Sequence, residues 1–182
     1  MDSYDLRALL SQGRDLPLSS SALLGVLQHA AHRALRRERA NSLETGDLAN
    51  EVFLRLVEGQ SLSIEDHQHL RRLVAYVTRH VLVDRARARK ADKRGGNLVR
   101  VTYSERDLAE DGVDIDVLTL HALLDRLATL DPRVAEIVEL RVFGGSTAHE
   151  VAQALAISRA TVQSEWAFAL TWLRKHLGSA HG

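Results

Sequence analysis

Apolar residues return every three or four positions along most of the chain, a period that suits helices and almost nothing else. Leu23, Leu27, Ala30, Ala31, Ala34 and Leu35 form one stripe. Leu48, Val52, Phe53 and Leu56 form a second, and Leu70, Leu73, Val74, Val77 and Val81 a third. Strand-like character is confined to LVRVTY at 98–103, too short to found a sheet by itself. The expected fold class is all-α.

Punctuation divides these helices into two units. GQSLSIED forms a loop between the second and third stripes, and Gly95 and Gly96 are expected to end the third helix. Residues 97–116 lack a period and are acidic, so they read as linker, partly ordered at most. Helical patterning resumes near Val117. Asp131-Pro132 is a helix start, with Asp as cap and Pro at the first helical position. That helix should stop at FGGS, and Thr147 to Glu150 fits a capping box. The expected organisation is two small helical domains, 1–95 and 117–182, joined by an acidic linker at 96–116.

The net charge of zero conceals a sorted distribution. From Arg71 to Arg100, ten Lys or Arg face only Asp84 and Asp92, a balance of +8. From Glu44 to Asp66 six acids face Arg55 alone, and from Tyr103 to Asp116 six more face Arg106. A basic block beside acidic ones points to a polyanion at one surface and other partners elsewhere. A solvated helix end is the plainer reading of such a run.

The last 35 residues carry a second indication. A short helix at 148–154 has Val151, Ala152 and Leu155 on one face; Ile157 lies in the connection; Ser158 is placed to cap a long helix at 158–177. Val162, Trp166, Ala169 and Leu173 line that helix's inner side. This describes either an ordinary αα-hairpin or a helix-turn-helix. Glycine is usual in such a turn, and Ala156 takes its place here. In the DNA-binding case Arg159, Ala160, Gln163 and Ser164 project into the major groove, where Arg pairs with guanine and Gln with adenine. Glu165 and Phe168 are unexpected on such a surface, and Arg174, Lys175 and His176 suit the helix C-terminus as well as phosphate.

Other functions find less support. The absence of cysteine removes disulfides and thiolate metal sites. His29 with His32, and His67 with His69, have no third ligand at usable spacing, and no phosphate loop or catalytic motif is present. The reading is therefore a non-enzyme with no metal and no cofactor. The N-terminus lacks a signal-peptide core and no apolar run reaches a membrane span, so a cytoplasmic protein without membrane contact is expected.

Four stretches together resemble the bacterial RNA polymerase sigma factors of the extracytoplasmic-function (ECF) type. They are TGDLANEVFLRLVEG, HLRRLVAYVTRHVLVDRARARKADKRGG, LDRLATLDPRVAEIVELRVFGGSTAHEVAQALAISRATV and SEWAFALTWLRKHL. The resemblance covers about residues 20–95 and 120–177 and rests on their order and spacing. It implies sigma region 2 in 1–95, for polymerase docking and the −10 element, and sigma region 4 in 117–182, for the −35 element. It implies core RNA polymerase and promoter DNA as partners, with a regulatory protein or a kinase as controller.

By position, the resemblance assigns core-polymerase binding to Asp47, Asn50, Glu51 and Arg55. It assigns −10 contacts to Ser63, His67, His69, Arg71, Arg72, Tyr76, Arg79, Arg85, Arg87, Arg89 and Lys90, and −35 contacts to Arg159, Ala160, Gln163 and Ser164. Ser63, His67 and His69 fall in or beside the loop with which the family captures a flipped base. Aromatic platforms for an unstacked base are scarce: the chain has three Phe, three Tyr and two Trp, with Tyr76 alone in the basic helix. Where many members carry a denser acidic cluster ahead of the docking helix, this chain has Thr45 and Gly46, with Glu44 and Asp47 kept. That departure implies weaker or conditional docking and makes Thr45 a candidate phosphosite. The rival is a conventional helix-turn-helix regulator acting without core polymerase, which leaves the basic helix without a role. A protein-binding helical adaptor leaves the +8 block unexplained.

Overall fold

The computed structural model describes residues 20–34, 42–58, 67–91, 99–103 and 113–178. Within them lie seven helices and one two-stranded sheet: α1 (Ser20–Ala34), α2 (Ser42–Glu58), α3 (His67–Ala91), β1 (Arg100–Tyr103), β2 (Val113–Asp116), α4 (Val117–Leu130), α5 (Pro132–Val142), α6 (Ala148–Ala154) and α7 (Arg159–Gly178). The helical fold class expected from the apolar period is what the chain adopts. No described helix is long and apolar enough to cross a membrane.

The three stripes become the core of α1–α3. Leu27, Ala30, Ala31, Leu48, Val52, Phe53, Leu56, Leu70, Val74 and Val81 are all buried, and the three helices pack pairwise. The C-terminal helices α4–α7 form a second cluster around Leu120, Leu124, Leu127, Ile137, Leu140, Val151, Val162 and Leu173. The ends of these helices follow local chemistry. Asp116 accepts from the Thr119 N–H, and Asp131 accepts from the Arg133 and Val134 N–H groups with Pro132 next to it. Thr147 and Glu150 form a reciprocal capping box, and Ser158 Oγ accepts from the Thr161 N–H at 3.0 Å.

One expectation needs correction. The segment at 96–116 is not a linker throughout: its described ends pair as an antiparallel hairpin, with Arg100 opposite Asp116 and Val101 opposite Ile115. A strand of four residues is unstable alone. Here Val99, Val101 and Ile115 are buried and β1 packs on α1 and α5. The Val117 N–H donates to the Val99 carbonyl, joining the hairpin to α4. The two clusters also touch each other directly. Helix α3 touches α4, α5 and α6 as well as α1 and α2. The stop of α3 expected at Gly95 and Gly96 lies outside the described residues.

The contact with α3 is close where α5 ends. A Cβ on Gly144 would stand 2.7 Å from the Leu140 carbonyl oxygen and 3.0 Å from the Ala75 Cβ on α3. Only glycine lets this turn press against that helix.

The turn between α6 and α7 holds Ala156 at φ 52°, the left-handed region that the missing turn glycine would occupy without strain. Replacing Ala156 by Gly should therefore stabilise the protein by about 0.5–1 kcal/mol, the relief of strain outweighing the added freedom of the unfolded chain. Thermal unfolding should move up by about 1–4 °C for a chain of this size; a lower melting temperature would show that the turn is not strained.

Candidate nucleic-acid interface

The first two turns of α7 present an open surface. Arg159, Ala160, Gln163 and Ser164 are all exposed, while Val162, Trp166, Ala169, Leu170 and Leu173 turn inward. Glu165 does not share the open face: its carboxylate is gripped by the guanidinium of Arg133 on α5 through both Nε and Nη2. Phe168 remains exposed. His176 stacks on Trp172 with ring centroids 4.0 Å apart and is held by the Trp172 carbonyl, so it serves the helix end.

The expected −10 residues on α3 fall into four groups. His67, Arg87, Arg89 and Lys90 are exposed near its two ends, and Tyr76 is exposed at its middle. His69 is half-buried. Arg85 is tied back to α2, its Nε 2.8 Å from Glu51 Oε2. Arg71, Arg72 and Arg79 are engaged by acids of the C-terminal helices: Arg71 with Glu150 at 2.8 Å, Arg72 with Glu136 at 3.5 Å, and Arg79 with Asp125 at 2.6 Å and Glu139 at 2.9 Å. Ser63 lies outside the described residues.

Of the residues on α2 expected to dock, Glu51 and Arg55 form their own network. Glu51 bridges Arg85 and Arg55, and Arg55 donates to Asp84 on α3 at 2.8 Å. Asp47 is exposed and Asn50 half-buried. Thr45 lies in the first turn of α2.

Arg79 is the most confined of these cations, its side chain only 9% exposed. Its Nε and Nη2 both donate to His121 Nδ1, at 3.1 and 2.8 Å, and Nη2 also donates to the His121 carbonyl. A guanidinium has only donors, so Nδ1 must carry a lone pair and the imidazole is neutral with its proton on Nε2. That nitrogen lies 3.7 Å from Asp125 Oδ2. Burial, and then the charge of Arg79, hold the His121 pKa below 6.5 against the opposing pull of Asp125. Burial pushes the Glu139 carboxyl above the usual range and outweighs Arg79. Burial acts the same way on Glu150, but the Thr147 N–H, Arg71 and the Thr147 hydroxyl together bring it below.

His29 Nε2 lies 3.0 Å from the Gly145 carbonyl oxygen, another link between the two helical clusters. Among the described residues no three His, Cys, Asp or Glu side chains are grouped as a metal site would need.

A family model for ECF sigma factors matches residues 21–179, spanning both helical clusters and the hairpin. The chain belongs to this family. ECF sigma factors are non-catalytic DNA-binding proteins of transcription initiation that partner with core RNA polymerase and promoter DNA. No curated protein and no solved structure matches the chain.

The partners of Arg71, Arg72 and Arg79 in this sigma factor escape a reading of the sequence by motif. A geometric signal exists in hindsight. Arg72 and Arg79 are seven apart, on one face of α3, and Glu136 and Glu139 are three apart, on one face of α5. Matching the two requires knowing that the helices meet.

The neutral His121 has a consequence for pH. Below 6.5 the unfolded chain takes a proton on His121 that the folded chain refuses, so the residue's contribution to stability falls as pH drops and levels off below the depressed folded value. Wild-type unfolding free energy minus that of His121→Gln, followed by denaturant titration from pH 8 to pH 5, should decrease with falling pH. The raised Glu139 is present in both proteins and cancels in the difference. A flat difference would mean that His121 is not held neutral.

Proposed function

We propose that this ECF sigma factor joins core RNA polymerase through α2, engages and opens the −10 element with α3 and the segment before it, and reads the −35 element with the first turns of α7. The observation that carries the reading is the open face of α7, where a capped helix backed by a buried face leaves Arg159, Ala160, Gln163 and Ser164 exposed. Such a helix fits the major groove, where its Arg and Gln select bases. The exposed Arg87, Arg89 and Lys90 at the end of α3 supply phosphate contacts. Where core polymerase is absent, the chain should show little promoter preference, which separates this reading from a conventional helix-turn-helix regulator.

Transcription by core enzyme plus this protein on a promoter library tests the division of labour. Arg159→Ala with Gln163→Ala should relax preference at the −35 positions, each lost bidentate contact being worth about 1–3 kcal/mol of discrimination. Arg87→Ala with Arg89→Ala should weaken binding on all sequences alike and reduce the slope of log affinity against log salt by about 2. Interchanged effects, or promoter selection without polymerase, would sink the assignment.

Thr45 is the proposed control point of docking. Phosphorylation by a kinase would add about two negative charges in the first turn of α2, where the helix dipole favours them. Thr45→Glu should tighten binding to core polymerase, measured by fluorescence anisotropy; unchanged affinity and unchanged transcription would remove the role.

A further inference from the structure

Helices α3 and α5 meet through Arg72–Glu136 and Arg79–Glu139 without closing on each other completely. A groove of about 390 Å3 remains between them, inside the roughly 300–1,000 Å3 that small-molecule sites occupy. Leu73 and Tyr76 line it from α3, and Pro132 and Ala135 from α5. Leu70, Val74 and Val81 of α3 are buried, whereas Tyr76 is 53% exposed. One part of its ring meets His80, with centroids 4.1 Å apart. The rest of the ring is open to an aromatic or apolar guest.

The charged groups of the groove decide what kind of guest fits. Arg72 and Arg79 face Glu136 and Glu139, so the lining is balanced. Arg79 and Glu139 are spent: the guanidinium donates to His121, Glu139 and Asp125 at once, a clasp that matches its charge. Arg72 and Glu136 are held less firmly. Their nearest atoms stand 3.5 Å apart, and each side chain is about two-fifths exposed. Such a pair is screened by solvent and costs little to part. One cation and one anion are thus accessible beside an open aromatic ring. A guest with a net charge of either sign would satisfy one of them and repel the other. A zwitterion satisfies both, exchanging one loose ion pair for two.

We propose that the groove between α3 and α5 is a binding site for a small aromatic zwitterion, an amino acid with a flat side chain. Arg72 takes its carboxylate, Glu136 takes its ammonium, and its ring lies against Tyr76 and Pro132. The inference does not depend on the promoter reading. Arg72 and Tyr76 also belong to the expected −10 set, so binding is measured without DNA and without polymerase.

The test uses the full chain and three probes: L-tryptophan, tryptamine, which lacks the carboxylate, and indole-3-propionate, which lacks the ammonium. Isothermal titration calorimetry reads affinity, and proton–nitrogen correlation spectra read the place of binding. L-tryptophan should half-saturate the chain at or below about 1 mM, the range open to a ligand of this size, and should shift the amides of Tyr76, Ala135 and Glu136. Each analogue should bind about threefold more weakly, within the scale of one exposed ion pair. Glu136→Gln should weaken L-tryptophan and tryptamine by a similar factor and spare or strengthen indole-3-propionate. Arg72→Gln should weaken L-tryptophan and indole-3-propionate and spare or strengthen tryptamine. Both side chains are partly exposed, so neither change threatens the fold. Absence of saturation by L-tryptophan at about ten times the expected concentration would overturn the site. So would shifts confined to other helices, an analogue that binds as tightly as L-tryptophan, or two charge variants that weaken all three probes alike.

Discussion

A guanidinium withdrawn from water has to have its N–H groups matched, and Arg79 is matched only while α4 and α5 lie against α3. Beside the continuous apolar core and the His29–Gly145 bond, this requirement links the two halves of the molecule. His121 supplies a ring nitrogen and a carbonyl, Asp125 and Glu139 supply charge, and all three come from the C-terminal cluster. Arginine stays charged at any ordinary pH, so the alternative to a partner is exposure to water. Helix α3 therefore has two buried faces. Leu70, Val74 and Val81 belong to the apolar stripe, while Ala75, Arg79, Leu82 and Ala86 are buried on another side. Net stabilisation from such a buried pair is small once desolvation is counted. What the clasp contributes is a defined position for one cluster on the other.

The sequence discloses local structure here better than it discloses assembly, for a physical reason. Helix starts depend on a few adjacent residues, so Asp131-Pro132, Thr147 with Glu150, and Ser158 were legible at once. So was the inner face of α7, because Val162, Trp166, Ala169 and Leu173 keep helical spacing. The first stripe of α3 was legible in the same way. Its second face was not, because alanine carries little pattern and a buried arginine looks like a solvated one until its partners are known. The hairpin was missed for a related reason: Val99, Val101 and Ile115 show too short an alternation to name a strand, and what stabilises them is cover from α1 and α5. The open face of α7 was legible as a set of residues, while the capture of Glu165 by Arg133 depends on a helix 32 positions away in sequence.

The sorted charge blocks take on another meaning once the fold is known. A block of +8 suggests a surface waiting for a polyanion. In the folded chain, much of it is already answered. Arg85 belongs to Glu51, and Arg71, Arg72 and Arg79 belong to acids of the C-terminal cluster. At the end of α3, Arg87, Arg89 and Lys90 are exposed to solvent, with Arg87 3.8 Å from Asp84. Of these acids, only Glu51 belongs to an acidic block; Asp125, Glu136, Glu139 and Glu150 lie outside both, and long-range attraction of DNA is correspondingly weaker than the basic block alone would produce.

Salt acts unequally on these pairs, and that inequality bears on how the chain opens. Exposed pairs are worth about 0–1 kcal/mol and are screened within roughly 8 Å at physiological ionic strength. Arg72–Glu136 is of that kind. Arg79 is shielded from solvent and is screened much less. Raising salt therefore loosens the outer pairs between the two clusters while leaving Arg79 and its partners. Ionic strength alone is therefore a poor means of parting the two clusters. A ligand that prefers the open chain must supply differential contacts, and a surface that engages α2 and α3 together meets that condition. Glu51 and Arg85 bond across those two helices, so a partner that draws Glu51 away also releases an arginine of α3. A contact made at Glu51 on α2 and the pairing of Arg85 on α3 are thereby physically coupled.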